Sequence, residues 1–73
     1  MIHTKAAIAV MMFGKDLVGL DVNTLPIGDW PGGRCTVVEI NPDPGAPEIS
    51  FTVTHPEHGE MGIFEGEPVT ILK

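Results

Sequence analysis

Apolar and polar residues alternate with a period of two along most of this chain beyond residue 16. That is the period of strands with one buried and one wet face. The cleanest case is Glu48–Thr54, where Ile49, Phe51 and Val53 are expected to face inward and Ser50, Thr52 and Thr54 outward. Leu17–Val22 places Val18, Leu20 and Val22 on one face, and Arg34–Ile40 is rich in β-branched residues. Glu60–Glu65, with Met61 and Ile63 inward, and Val69–Leu72 complete five expected strands.

Between the strands the breaks carry turn chemistry. Asn23–Gly33 is a long loop holding Pro26, Pro31, Gly28, Gly32 and Gly33 around the only tryptophan, Trp30. Its prolines cannot donate to a ladder, and its glycines reach backbone angles that other residues avoid. Asn41–Pro47, His55–Gly59 and Gly66–Pro68 read as turns and a corner. Before residue 15 the pattern changes. Lys5–Phe13 carries an apolar run of eight after the lysine, composed to suit helix or strand. The run is far short of the ~20 residues a membrane-spanning helix requires. Phe13–Asp16 makes a poor signal-peptide cleavage site. Residues 1–14 are therefore expected as an N-terminal extension (helix, strand or partly disordered), with 15–73 as the domain.

Five short strands with punctuated turns suggest an all-β domain closed into a small barrel, because closure removes exposed edges. The layout of strand, long loop, hairpin, short loop, strand, corner and strand resembles the five-stranded SH3-like barrel, KOW-type relatives included, over about residues 16–72. Leu25-Pro-Ile-Gly-Asp-Trp-Pro-Gly-Gly33 and Gly62-Ile-Phe-Glu65 also resemble segments of small bacterial proteins of unknown function. That likeness brings no activity with it. The SH3-like resemblance implies a peptide groove beside the first long loop. It marks Leu25, Pro26, Asp29, Trp30, Pro31 and Phe64 as the candidate binding residues. Those binders present several tyrosines, and this chain has none; the competing reading stacks Trp30 on Pro31 or Pro26, where it covers the open end of the barrel.

Composition narrows the partners. The chain has 73 residues, ten acidic side chains against four basic ones, and a net charge of −6. Binding to phosphates needs clustered cations, whereas Lys5, Lys15, Arg34 and Lys73 are scattered along the sequence. Nucleic acid and anionic membrane are both disfavoured. A domain this small often adds a disulfide, a metal or a partner subunit. The lone Cys35 excludes an internal disulfide and agrees with a reducing, cytoplasmic setting. A second copy or another protein becomes the expected staple.

Candidate chemistry is sparse. His55 and His58, with Glu57 between them, offer two or three metal ligands, which His3 and Glu60 complete only if the fold brings them close, and a turn does not fix their directions as a helix would. Solvated turn residues are the competing reading. Asp16, Asp21, Asp29, Glu39, Glu65 and Glu67 show no paired acid–base pattern. Cys35 has only Arg34 beside it as an activator, and Ser50, the only serine, lacks a nucleophile elbow. The Gly28–Gly33 segment lacks the lysine of a phosphate loop, and no cofactor motif is present. The reading is a small non-catalytic interaction module, acting through the Trp30 loop or a strand edge and self-associating. An enzyme, or a ligand- or metal-binding protein with its site at a subunit interface, is the alternative.

Overall fold

A computed structural model describes all 73 residues. Six strands form one antiparallel sheet: β1 (Ile2–Lys5), β2 (Asp21–Thr24), β3 (Gly33–Ile40), β4 (Ile49–His55), β5 (Gly59–Phe64) and β6 (Pro68–Ile71). Their order is β1-β6-β2-β3-β4-β5, so β1 and β5 are unpaired edges and the sheet is open. The antiparallel β-architecture expected from the alternation is present. Its strand number is six rather than five, and no pairing joins the edges into a barrel.

The sixth strand comes from the N-terminal stretch. β1 pairs with β6 in the register Ile2↔Ile71 to Lys5↔Pro68, and α1 (Ala6–Phe13) follows without a break. A helix of eight residues is marginal alone, so packing must hold it. Ala6 and Ala9 are fully buried, and their small side chains let the helix lie close on the sheet. The Ala6 and Ala7 N–H groups donate to the Glu67 and Glu65 carbonyls at 2.9 and 3.0 Å, satisfying two of the helix's orphan donors. Gly14 ends the helix with φ +54°. A 3₁₀ turn over Gly14–Leu17 then buries Leu17 completely.

Two bulges account for the departures from strict alternation. Between Val37 and Glu39, β3 gains Val38 as an extra residue, which turns Ile40 toward Phe51. On β4 the register shifts between Ile49 and Phe51, leaving Ser50 extra. Ser50 is consequently buried beside Phe51 and not outward, while Ile49 is half-buried over Gly62. The expected first strand is also shorter than read. Leu17–Leu20 is turn, Val18 is exposed, and only Val22 of its proposed face is fully buried. The core comprises Ala6, Ala9, Leu17, Val22, Trp30, Cys35, Val37, Phe51, Val53, Ile63, Val69 and Ile71.

On the outer face, Arg34 donates to Asp21 Oδ2 from Nε and Nη2 at 3.0 and 2.6 Å, and Thr36 donates to Oδ1 at 2.8 Å. Hydrogen bonds from Arg34 and then Thr36 hold the Asp21 carboxyl below its ordinary value of 3.8. A depressed folded-state pKa stabilises the fold above the unfolded value, and that contribution fades as pH falls through the lower folded value. Arg34→Met is therefore expected to flatten the loss of urea resistance in the acid range below about pH 4. A variant as acid-sensitive as the parent would deny the pair its role.

Candidate functional site

The loop joining β2 to β3 is a fastened bracket. Ile27 and Trp30 exchange backbone hydrogen bonds at 2.9 and 2.8 Å around Gly28-Asp29, with Gly28 at φ +53°. A positive φ at the first central position is the sign pattern of a type II′ turn. Past Trp30 the chain folds back onto its own start. A Cβ on Gly32 would lie 2.7 Å from the Pro26 nitrogen and the Thr24 carbonyl oxygen, and Gly32 itself has φ +72°. Only glycine passes there.

Trp30 belongs to the core, with an exposure of 8%. Its Nε1–H donates to Thr24 Oγ1 at 3.0 Å, which satisfies a buried donor. Thr24 Oγ1 also lies 3.4 Å from the Gly33 carbonyl and 3.7 Å from Cys35 Sγ. One hydroxyl thus ties both ends of the loop to the tryptophan. Cys35 is buried in the core, and that burial pushes its thiol up, which favours the protonated form.

Beyond Trp30 the aromatic contacts continue outward. The His55 ring meets Trp30 edge-on at 5.3 Å, and His58 meets His55 in the same way at 5.0 Å. His55 Nδ1 accepts the Glu57 N–H at 3.0 Å, which leaves Nε2 to carry the ring proton in the neutral form. Nowhere do three or more His, Cys, Asp or Glu side chains converge at metal-binding distance.

The surface beside the bracket holds a cleft of about 250 Å³ lined by His3, Thr4, Asn23, Thr24, Leu25, Pro68, Val69 and Thr70. Strand pairing builds it: His3 lies opposite Thr70, and Thr70 opposite Asn23, across β1, β6 and β2. His3 Nδ1 and Thr70 Oγ1 are 3.0 Å apart. Leu25, half exposed at 52%, forms the wall nearest the loop. The lining offers hydroxyl, amide and imidazole groups against apolar walls and no carboxylate or ammonium.

Of the residues singled out from the sequence, Leu25, Pro26, Asp29 and Pro31 are exposed on the bracket, and Leu25 reaches the cleft. Phe64 is exposed on β5, separated from β2 by β3 and β4 in the sheet order. The cleft residues Thr4, Asn23 and Thr70 carried no sequence signal, because their grouping depends on β1 meeting β6 from the opposite end of the chain. Comparisons with protein-family models, curated proteins and solved structures found no match for this chain.

Proposed function

We propose that the protein is a small non-catalytic interaction module of SH3-like type, working in the cytoplasm, that takes an extended peptide in the cleft beside its Trp30 loop. The observation that carries this reading is the position of the cleft. It adjoins the first long loop, where peptide-binding relatives of that architecture place their groove. Its size supports a peptide side chain over a cofactor, since about 250 Å³ falls under the ~300–1,000 Å³ of small-molecule sites. The lining supports an uncharged segment, with Leu25, Pro68 and Val69 for apolar groups and Asn23, Thr4 and Thr70 for backbone amides. Trp30 serves from behind, as the anchor that fixes Leu25 in place.

Selection from a random peptide library on immobilised protein tests this. The expected result is a shared motif enriched on the parent and reduced at least tenfold on Leu25→Lys, whose exposed position leaves folding intact by circular dichroism. No enrichment on the parent, or equal enrichment on both, would contradict the proposal.

A further inference from the structure

Helix α1 has no polar residue: Ala6-Ala-Ile-Ala-Val-Met-Met-Phe13. A helix that is apolar all round belongs in an interior. Here Ala6 and Ala9 face the core, while Ile8, Met11 and Met12 are 44%, 79% and 54% exposed. Residues spaced three and four apart share a helix face, so these three form one apolar stripe on the surface. Single exposed apolar residues need no explanation, but a stripe of three with no charge among them does.

The charges at the two ends of the stripe indicate what covers it. At the first turn stand Lys5 and the two residues whose carbonyls receive the Ala6 and Ala7 N–H groups, Glu67 and Glu65. At the last turn stand Lys15, Asp16 and Lys73, whose ammonium sits 5.6 Å from the centre of the Phe13 ring. The acidic residues thus outnumber the basic ones at one end, and the basic residues outnumber the acidic at the other. A two-fold axis through the middle of the helix lays each end against the opposite end of a second copy. The geometry points to an antiparallel α1–α1 pairing of two copies of this chain, with Ile8, Met11 and Met12 at its centre and Glu65 facing the second copy's Lys15.

An anionic membrane fits less well, because Glu65 and Glu67 lie at one end of the helix, Asp16 at the other, and the chain carries −6 overall. Stable complexes bury about 800 Å² per partner. Three side chains and their rim cover less, so the dimer forms in the micromolar range or weaker. None of these residues lines the cleft, so the pairing stands or falls separately from peptide binding.

Sedimentation equilibrium of the whole chain, from micromolar to millimolar concentration, tests the pairing. The expected parent mass rises from 7.8 kDa toward twice that value. Met11→Lys stays monomeric with unchanged circular dichroism. Lys15→Glu raises the dissociation constant at least threefold, and adding Glu65→Lys restores it. A parent monomeric at 1 mM, a Met11→Lys variant that still dimerises, or a charge exchange that fails to restore pairing would each overturn the inference. So would a monomeric parent that sediments with phosphatidylglycerol vesicles, which would assign the stripe to lipid.

Discussion

Gly32→Ala is expected to unfold much of the protein at room temperature or to lower its melting temperature by more than about 12 °C. Two costs coincide at this position. An alanine held at φ +72° is strained by roughly 1–2 kcal/mol. Its methyl would also sit 2.7–2.8 Å from three backbone atoms of Thr24, Leu25 and Pro26, which cannot swing aside as a side-chain tip would. Together these exceed about 3 kcal/mol, against a total stability of roughly 4–11 kcal/mol for a chain this long. At about 4–8 °C per kcal/mol for a small domain, the stated fall follows. Gly33→Ala is the internal control. Its φ is +90°, but a Cβ there meets nothing within 4 Å. Only the conformational cost remains, so its melting temperature should fall by less than half as much. Thermal unfolding followed by circular dichroism measures both, and equal effects would show that the close chain crossing does not matter.

The second large effect belongs to Trp30 and its hydroxyl partner. Trp30→Ala should cost about 3–5 kcal/mol, the range for truncating a large buried aromatic. Thr24→Val keeps nearly the same shape and removes the acceptor of the indole N–H, leaving a buried donor unpaired at about 1–3 kcal/mol. Trp30→Phe removes the donor instead. If the contact at 3.0 Å is the true link, the double variant Trp30→Phe/Thr24→Val costs less than the sum of the singles. Additive costs from urea titrations would mean that the two residues stabilise the loop independently. Peptide capture by the cleft should weaken along the same series, because Leu25 is placed by the bracket that Trp30 anchors.

How much of this is legible in the sequence follows from the range over which each feature is encoded. β3 to β6 were readable within a residue or two, since alternation and the turn residues Pro42, Gly45, Gly59 and Gly66 act locally. Ser50 and Ile49 deceived the pattern because a bulge adds a residue without marking it in the sequence, and the phase of the side chains flips there. β1 was unreadable as a strand: Ile2–Lys5 is four residues long, and its partner lies at the far end of the chain. The Trp30 loop was evident from its prolines, glycines and lone aromatic. The direction of the indole was not, because it depends on one threonine hydroxyl six residues earlier. His55, reached through the β3–β4 pairing, meets the ring edge-on, a contact that nothing in the local sequence marks. The cleft shows the same limit, since only Leu25 of its lining belonged to the expected set.

The site rests on the bracket, and the bracket rests on the buried indole, whose Nε1 proton reports on it directly. Exchange of that proton with deuterated solvent can be followed by NMR in the intact chain, which contains a single tryptophan. Slow exchange is expected in the parent, limited by opening of the loop, and markedly faster exchange in Thr24→Val. Exchange in the parent as fast as that of a free indole would place Trp30 in solvent and contradict it.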